Sequence, residues 1–305
     1  MKVYAEHAKI QEFLIQNPID SIEVVEDIKK ASYIITGKYD KTKYNQNLKG
    51  IIIPYTGHNG IDLDAMREKE LMLFITPTRS KYVAEKAIAL LFALTGKVVS
   101  YHNLLKEGNW SSRNSETRVP WESIQGKNIG LFGYGRIGKI IHEMLKGFNV
   151  NILTINRDKV YPEDITLVEN LYDLVDKSDI VIISSPLNPT TESLFNKHLL
   201  SGMKNKFLIN VGRGKIVEEE SLYNALKNND LKGYASDVWY NYPHGKEVML
   251  PSTYPIYEFD NVVMSNHSGG FTENTNNEVN KDILITLKKL RNENFEDKLN
   301  LKNLL

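Results

Sequence analysis

A glycine-rich segment near the middle of the chain has the spacing of a phosphate-binding turn. Residues 128–141 have the sequence NIGLFGYGRIGKII, in which Gly133, Gly135 and Gly138 form the pattern G-x-G-x-x-G. The first glycine of this pattern permits a tight turn, the second lets the backbone approach a pyrophosphate, and the third lets the following helix pack closely on the sheet. The N-terminus of that helix presents unpaired N–H groups to phosphates. The segment therefore predicts a dinucleotide site, to which Arg136 adds a positive charge.

The end of the next predicted strand indicates which dinucleotide binds. An acidic residue at this place bonds the ribose 2′-hydroxyl of NAD, whereas an arginine accommodates the 2′-phosphate of NADP. Asn156 stands 23 positions after Gly133, where the acidic residue is expected, and Arg157 follows it. Because a 2′-phosphate is strongly anionic, we predict NADP as the cofactor, with NAD as the alternative. The competing interpretation is a solvated loop arginine that Asp158 partly neutralises.

Three polar residues stand at the ends of predicted strands in the same half of the chain. Arg213 comes soon after FLINV, Asp237 ends GYASD, and His267 comes after NVVMSN. In an open parallel sheet, ligands bind beyond the carboxyl ends of the strands. We therefore expect these three side chains to converge at one edge of one sheet. Val211, the last residue of FLINV, and Ile137, in the first turn of the predicted helix, are assigned to the same cofactor site.

Short apolar runs alternate with amphipathic helical stretches along the chain, a pattern typical of α/β proteins with parallel sheets. The predicted strands of a first series are 22–25, 33–37, 49–55 and 71–76. The predicted strands of a second series are 128–132, 151–155, 179–184, 206–211, 233–238 and 261–265. The predicted helices are 63–70, 82–105, 136–147, 169–175, 191–200, 218–228 and a polar helix after Phe271 with the apolar spacing Val279, Ile283, Leu287 and Leu290. The polar stretch 107–122 is predicted to be a surface connection.

This pattern predicts two domains. The second series is long enough to form a doubly wound parallel-sheet (Rossmann) dinucleotide-binding domain over residues 97–271. Residues 1–96 form the other, smaller domain, and the C-terminal residues 272–305 are expected to return to it and complete it.

Composition excludes several classes of function. Lys and Arg together number 38, as do Asp and Glu, so the formal net charge is zero and a nucleic-acid partner is not expected. The chain has no cysteine, which excludes disulfides, thiolate metal sites and cysteine nucleophiles. The histidines lack partners at metal-ligand spacing, so we predict no metal site. No apolar run approaches a membrane span and the first residues lack the apolar stretch of a signal peptide, so we expect a cytoplasmic protein.

Several longer motifs, taken in order, are specific to one family. They are VAEKAIALLFAL (83–94), QGKNIGLFGYGRIGKI (125–140), SDIVIISSPLNPTTESLFN (178–196), LINVGRGKIVEEESLYNAL (208–226), GYASDVW (233–239) and NHSGG (266–270). With these motifs the chain resembles the D-isomer-specific 2-hydroxyacid dehydrogenases, a group similar to D-lactate, phosphoglycerate, glyoxylate and formate dehydrogenases. The resemblance implies a flavodoxin-like substrate domain beside the dinucleotide domain, with the active site in the cleft between them.

The resemblance also implies roles for the residues at the strand ends. Arg213 corresponds to the arginine that holds the substrate carboxylate and polarises its carbonyl, and His267 to the histidine that exchanges a proton with the substrate oxygen. Asp237 corresponds to the aspartate near the nicotinamide carboxamide, and Ser185-Pro186 to the segment that passes beside the cofactor.

In the predicted first domain, a short loop resembles the one whose backbone N–H groups meet the substrate carboxylate. Its sequence is Thr56-Gly57-His58-Asn59-Gly60. We assign Gly57, His58 and Asn59 to the substrate site on this basis.

One position departs from the family pattern. The family normally has a glutamate five positions after the aspartate, where this chain has Tyr242, so His267 lacks its usual carboxylate partner. An unperturbed histidine with a pKa near 6.5 is about one quarter protonated at pH 7, against about three quarters if the pKa is one unit higher. The departure therefore changes pH dependence more than it abolishes chemistry. We include Tyr242 among the candidate catalytic residues because its hydroxyl can orient His267, with a packing role in the aromatic cluster as the alternative.

The expected function is hydride transfer between a nicotinamide cofactor and a small 2-oxo or 2-hydroxy acid of the D series. Two alternatives remain. One is a catalytically idle dinucleotide-binding regulator, which is suggested by Tyr242 in place of the family's glutamate. The other is a dehydrogenase of another small anion such as formate. We also expect a homodimer, because the apolar helix 82–105 serves a dimer interface in relatives.

Overall fold

A computed structural model describes residues 1–305 except for residues 56, 59, 115, 118, 158, 244, 246, 247 and 302–305. Within the described residues, the strands are β1 (Lys2–Ala5), β2 (Glu23–Val24), β3 (Tyr33–Ile35), β4 (Gly50–Ile53), β5 (Met72–Ile75), β6 (Asn128–Phe132), β7 (Asn151–Ile155), β8 (Ile165–Val168), β9 (Ile180–Ile183), β10 (Phe207–Asn210), β11 (Gly233–Ser236) and β12 (Val262–Met264). The α-helices of the same described part are α1 (Ala8–Gln16), α2 (Leu63–Glu68), α3 (Arg79–Thr95), α4 (Val98–Lys106), α5 (Arg136–Leu145), α6 (Leu171–Lys177), α7 (Lys197–Ser201), α8 (Glu219–Lys227) and α9 (Thr275–Arg291). None of these helices combines the length and the apolar character that crossing a bilayer requires.

The chain divides into two compact units, each built on one parallel sheet. The first unit comprises residues 1–80 and 271–305 and has a five-stranded sheet in the order β2-β1-β3-β4-β5. This is the strand order of flavodoxin-like folds. Both faces are covered, because Ile51 and Ile53 of β4 belong to one apolar cluster with α2 whereas Ile52 belongs to another with α1 and α9.

The second unit comprises residues 81–270 and has a seven-stranded parallel sheet in the order β12-β11-β10-β9-β6-β7-β8. The chain starts in the interior of this sheet at β6, runs outward to β8, then returns to β9 and runs outward to β12. This order is that of the doubly wound dinucleotide-binding fold with one added strand, and the point of reversal lies between β6 and β9. The predicted α/β Rossmann architecture is confirmed.

The predicted strands agree with the structure, but three elements were not predicted. β6 and β7 have the predicted limits, and the other predicted strands are within two residues of theirs at each end. The strands β1 and β8 and the helix α1 were not predicted. In β8, Thr166 and Leu167 are exposed at the sheet edge, so this strand has no continuous apolar run. The prediction for 191–200 was also too long, since only Lys197–Ser201 is helical there.

The prediction of one long helix over 82–105 is wrong in one respect, because the structure has two helices there. α3 ends at Thr95, and Lys97 has a φ of +51°, a left-handed conformation that cannot continue an α-helix. α3 packs on the second sheet, where Ala84, Ala87 and Leu91 contact the cluster that contains residues of β6 and β9. The boundary between the compact units therefore falls after residue 80 and before residue 271, instead of after residue 96 as expected from sequence.

The C-terminal helix α9 belongs to the first unit, as its apolar spacing predicted. Its four predicted apolar residues are all buried in one cluster with Val3 of β1 and Phe74 of β5, and they are Val279, Ile283, Leu287 and Leu290. The tail thus covers one face of the sheet that the first eighty residues form.

We expect the substitution Ile283→Ala to lower the free energy of unfolding of the first unit by about 2–5 kcal/mol, because it removes a fully buried side chain and leaves a cavity. Ile285→Ala is the matched control: Ile285 lies on the same helix but is 53% exposed, whereas Ile283 is 0% exposed. Urea unfolding followed by fluorescence and circular dichroism measures the difference. Equal effects of the two substitutions would contradict the assignment of α9 to this sheet.

Candidate active site

The glycine turn has the geometry that a bound dinucleotide requires. Gly133 has a φ of +108°, and a Cβ there would lie 2.8 Å from the backbone nitrogen of Ser185. A Cβ on Gly138 would overlap the carbonyl oxygen of Gly133, so the third glycine is needed for the helix to approach the strand. A Cβ on Gly135 would meet no protein atom within 4 Å. The second glycine is therefore not required by the protein's own packing, as expected where a phosphate approaches the backbone.

Helix α5 begins directly at this turn, with Gly135 as its N-cap. The N–H groups of its first turn are not consumed by a capping side chain, so they are free to meet an anion. Arg136 is exposed at the start of the helix and Ile137 is half-buried beside it. The predicted strand, turn and helix are therefore all present, and the residues fit a dinucleotide pyrophosphate.

The residues expected to select the cofactor follow β7. Asn156 and Arg157 are both exposed, and the backbone N–H of Asn156 donates to the carbonyl of Val168 on β8 at 2.9 Å. The backbone N–H of Arg157 donates to the hydroxyl of Tyr161 at 3.1 Å. Asp158, the residue of the competing interpretation, lies outside the described residues.

The segments after β9 and β10 lie against each other at the same edge as the glycine turn. The hydroxyl of Ser184 donates to the carbonyl of Gly133 at 2.8 Å, and a Cβ on Gly212 would lie 2.6 Å from the carbonyl oxygen of Ser185. Ser185 is half-buried and Pro186 exposed, whereas Val211 is 4% exposed. These residues occupy the edge at which open sheets bind ligands.

Arg213 is held in place by the two glycines and the asparagine around it. Its Nη1 donates to the carbonyl of Gly212 at 2.6 Å, and its own carbonyl accepts from the side-chain amide of Asn210 at 3.0 Å. A Cβ on Gly214 would overlap the carbonyl oxygen of Trp239, so only glycine permits this approach to the segment after β11. The guanidinium is thus half-buried on a backbone with little freedom.

Asp237 is buried, 2% exposed, and its carboxylate binds the loop that follows β12. It accepts hydrogen bonds from the backbone N–H of Ser268 at 3.1 Å and of Gly269 at 2.8 Å, and from the hydroxyl of Ser265. Because His267 stands between these partners, the aspartate fixes the loop that carries the histidine.

His267 and Tyr242 are in contact, but through their rings. The ring centroids are 5.2 Å apart at an interplanar angle of 49°, while the hydroxyl of Tyr242 accepts from the backbone N–H of Trp239 at 2.8 Å. The expectation that this hydroxyl orients His267 is therefore replaced by a packing contact in which the hydroxyl fixes the tyrosine itself. His267 has a φ of +56°, an uncommon conformation for a residue other than glycine.

The charges of Arg213 and Asp237 both act on His267, and the three residues follow the neighbouring strands β10, β11 and β12. Desolvation lowers the pKa of His267 from its ordinary value of 6.5; the carboxylate of Asp237 opposes this shift, and the Arg213 guanidinium adds to it. Desolvation raises the pKa of Tyr242, although the Trp239 hydrogen bond and Arg213 act in the opposite direction. Tyr242 thus stays a neutral hydroxyl, and His267 favours the neutral imidazole at neutral pH.

In the first unit, the predicted substrate loop follows β4. Gly57 and His58 are described, whereas Thr56 and Asn59 lie outside the described residues. The carbonyl of His58 accepts from the backbone N–H of Ile61 at 3.0 Å, and a Cβ on Gly60 would overlap the carbonyl oxygen of Gly37. A contact of Gly57, His58 or Asn59 with substrate stays a prediction.

Two residues that support the site were not found from sequence. Ser265 binds Asp237 through its hydroxyl and accepts from the Trp239 indole N–H through its carbonyl at 2.7 Å. The sequence signal for Ser265 was its place two residues before His267, at the end of the predicted strand 261–265. Trp239 is 5% exposed and connects the segments after β11 and β12.

We expect Asp237→Asn to speed hydrogen exchange of the Ser268 and Gly269 amides by roughly tenfold to a hundredfold, because both N–H groups lose a charged acceptor worth about 1.5–3 kcal/mol. Asp179→Asn is the control, since the Asp179 carboxylate likewise accepts from a backbone N–H, that of Asn128, at 2.9 Å. Exchange measured by mass spectrometry or NMR should change only near the substituted residue. An unchanged Gly269 amide in Asp237→Asn would show that the carboxylate does not hold the loop.

Comparison with known proteins identifies the family. The profile of the D-isomer specific 2-hydroxyacid dehydrogenase NAD binding domain matches residues 88–269. The chain is 33% identical over 233 residues to a glyoxylate reductase of Thermofilum pendens, covering 74% of this chain and 67% of that enzyme. It is 30% identical over 240 residues to a chloroplastic/mitochondrial formate dehydrogenase of Arabidopsis thaliana, covering 76% of this chain and 60% of that enzyme.

A solved structure extends the likeness to nearly the whole chain. It is an NADPH-dependent glyoxylate/hydroxypyruvate reductase of Sinorhizobium meliloti in complex with NADP and malonate, which superimposes with a TM-score of 0.76 at 25% identity, over 94% of this chain and 92% of that one. The range matched by the profile, residues 88–269, includes the glycine turn, Arg213, Asp237 and His267. The chain therefore belongs to the D-isomer-specific 2-hydroxyacid dehydrogenase family of NAD(P)-dependent oxidoreductases.

Proposed function

We propose that this chain is a D-2-hydroxyacid dehydrogenase in which Arg213 binds the carboxylate of a small 2-oxo acid and His267 exchanges a proton with its C2 oxygen. NADP(H) is preferred to NAD(H). The observation that carries the proposal is the convergence of Arg213, Asp237 and His267 beyond the ends of the neighbouring strands β10, β11 and β12. This edge is also the one at which the glycine turn follows β6.

Arg213 supplies the charge that such a substrate requires. A guanidinium binds a carboxylate through two parallel N–H···O bonds, which fixes the orientation of the acid as well as its position. The same charge stabilises the negative charge that develops on the C2 oxygen during reduction. The hydrogen bond from Nη1 to the carbonyl of Gly212, at 2.6 Å, holds the cation in place before substrate arrives.

His267 supplies the proton. The nicotinamide, when bound, supplies or accepts the hydride at C2. Reduction therefore consumes one proton at the C2 oxygen, and oxidation of the hydroxy acid releases one. With its lowered pKa, His267 is a base at neutral pH and favours oxidation there, whereas reduction draws on the protonated fraction that grows as the pH falls.

The remaining residues of the site position these two groups and the cofactor. Asp237 holds the His267 loop through two backbone N–H groups, in addition to the contact with the nicotinamide carboxamide that the family implies. Tyr242 packs on the imidazole and limits its rotation. The exposed Arg157 pairs with the 2′-phosphate of NADP.

Formate is a second candidate substrate, and the environment of His267 supports this candidate. Oxidation of formate to carbon dioxide removes one hydride and transfers no proton, so it needs Arg213 but no acid or base. A histidine with a lowered pKa and no carboxylate at position 242 suits that reaction. The formate dehydrogenase relative of Arabidopsis thaliana agrees with this candidate.

A homodimer is also proposed, with the interface on α4 and the segment that follows it. The apolar side chains of α3 are used within its own unit, but α4 and residues 107–122 leave large apolar side chains exposed: Val98 (58%), Val99 (42%), Leu105 (48%), Trp110 (63%), Val119 (59%) and Trp121 (58%). Large apolar side chains exposed close together along the chain favour a protein interface here.

We expect light scattering to give twice the chain mass of 34.9 kDa and Val98→Asp to shift the protein to the monomer, because a buried unpaired charge disrupts an apolar interface. Val160→Asp is the control, since Val160 is 96% exposed in the same unit but lies outside this surface. A wild-type monomer, or a dimer that Val98→Asp leaves intact, would contradict the proposed interface.

The proposed reaction is tested by following nicotinamide absorbance with NADPH or NADH and a panel of small 2-oxo acids, and with the oxidised cofactors and formate or D-2-hydroxy acids. We expect NADPH and a 2-oxo acid to be the preferred pair. Arg213→Gln and His267→Gln should each lower kcat/KM by about 10²–10⁴-fold without loss of nucleotide binding. Arg291→Gln and His198→Gln, at exposed positions, are the matched controls.

The pH profile separates the two candidate substrates. For a 2-oxo acid, activity should fall as the pH rises through the lowered pKa of His267, because only the protonated imidazole donates. For formate, no such limb is expected and His267→Gln should keep most of its activity. Tight binding of nucleotide with no turnover of any substrate would contradict the proposed enzymatic activity and favour a regulatory function.

A further inference from the structure

A set of four side chains, which we call the tyrosine–histidine network, lies beside the glycine turn. Its members are Tyr134, His142, Tyr161 and Asp164. Tyr134 stands between Gly133 and Gly135, and its hydroxyl lies 2.8 Å from Nδ1 of His142. His142, on α5, is 2% exposed, and its Nε2 lies 3.3 Å from the Asp164 carboxylate. Both ring nitrogens of this buried histidine therefore have a polar partner.

Tyr161 connects this network to the residues that follow β7. Its ring packs on that of Tyr134, with 5.5 Å between centroids and an angle of 43°. Its hydroxyl accepts from the backbone N–H of Arg157 at 3.1 Å and donates to the carbonyl of Ile155 at 3.1 Å. One hydroxyl therefore closes the backbone turn on which Arg157 stands.

The segment that contains Tyr161 is attached to the glycine turn and its helix at two points. One point is the Tyr161 ring on Tyr134. The other is Asp164 on His142, which Lys146, the residue after α5, reinforces at 3.5 Å from the same carboxylate. Desolvation of Asp164 is outweighed by the charges of His142 and Lys146, so the pKa of Asp164 is lowered and its carboxylate stays charged. The backbone of Arg157 is thus connected to the turn that receives the pyrophosphate.

We propose that Tyr161 is a positioning residue for cofactor selection: it orders the backbone at Arg157 so that the guanidinium meets a 2′-phosphate at a set distance from the pyrophosphate. The inference rests on the proposed preference for NADP(H). An arginine on a disordered loop would lose backbone and side-chain freedom when NADP binds, and this loss weakens affinity. A loop that is ordered beforehand avoids most of that loss. No comparable gain is available to NAD, which has no 2′-phosphate for Arg157 to bind.

A purely structural role makes a different prediction. If the network only stabilised the unit, removal of the Tyr161 hydroxyl would weaken NADPH and NADH binding alike, and it would do so whether or not Arg157 were present. The two roles are therefore separated by the ratio of the two affinities and by the coupling between residues 161 and 157.

The experiment measures the Kd of NADPH and of NADH by calorimetry for the wild type, Tyr161→Phe, Arg157→Ser and the double variant. We expect Tyr161→Phe to weaken NADPH binding by about threefold to tenfold, from the loss of modest hydrogen bonds, and to leave NADH within about twofold. The same substitution in the Arg157→Ser background should have no further effect on NADPH. Tyr134→Phe, which removes the contact with His142 but keeps the ring, should act in the same direction more weakly.

Tyr172→Phe is the matched control, because Tyr172 is 57% exposed on α6 and takes no part in the network. An unchanged ratio of NADPH to NADH affinity in Tyr161→Phe would contradict the proposed role of Tyr161, as would an equal effect in both Arg157 backgrounds. Neither result would contradict the proposed dehydrogenase function. If instead Arg157→Ser itself leaves the ratio unchanged, the proposed NADP preference fails, and the role of Tyr161 fails with it. Because binding is measured without turnover, these outcomes do not depend on the choice of substrate.

Discussion

The buried carboxylate of Asp237 is the interaction on which the candidate catalytic groups depend. It stands at the end of β11, where its backbone N–H donates to Asn210 at the end of β10, while its side chain binds the loop that leaves β12. One residue thus connects three neighbouring strand ends, through its backbone N–H on one side and its carboxylate on the other. A buried carboxylate is costly unless N–H or O–H donors satisfy it, and here the loop backbone and a serine hydroxyl do so. The loop cannot move away from Asp237 without exposing an unpaired charge to the protein interior.

This arrangement also explains the unusual environment of His267. The family's usual carboxylate is replaced by the ring of Tyr242, so the nearest negative charge is that of Asp237, which is already committed to the loop. Arg213 contributes a positive charge that disfavours a second cation close by. The substitution at position 242 therefore moves the histidine toward the neutral form while preserving its position. Packing against Tyr242 takes the place of the charged hydrogen bond that the family resemblance implies, and for the proposed proton transfer by His267 we expect a changed pH range.

On the cofactor side of the sheet, glycines allow backbone segments to approach one another closely. Gly133 and Gly138 bring β6, α5 and the segment after β9 within distances that no side chain would allow. Tyr134, placed between two of these glycines, directs its ring toward the residues after β7 and its hydroxyl toward α5. The turn that receives phosphate and the residues proposed to recognise the ribose are consequently parts of one packed assembly. In the proposed function, selection of the cofactor depends on how well that assembly is ordered, as well as on the presence of Arg157.

The amino-acid sequence alone determined the class of fold, most strands, the glycine turn and the convergence of Arg213, Asp237 and His267. These features follow from local causes: apolar periodicity, glycine spacing and the rule that parallel strands end at one edge. The sequence did not reveal β1, α1 and β8, because elements with few buried residues have a weak apolar pattern. It also placed the division of the chain after residue 96, since periodicity does not show which sheet a helix such as α3 packs on. Only the tertiary structure decided that the Tyr242 hydroxyl binds Trp239, that Asp237 holds the His267 loop, and that Tyr161 meets Tyr134. Each of these contacts joins residues through the direction of a side chain, and that direction is set by packing between elements and not by spacing along the chain.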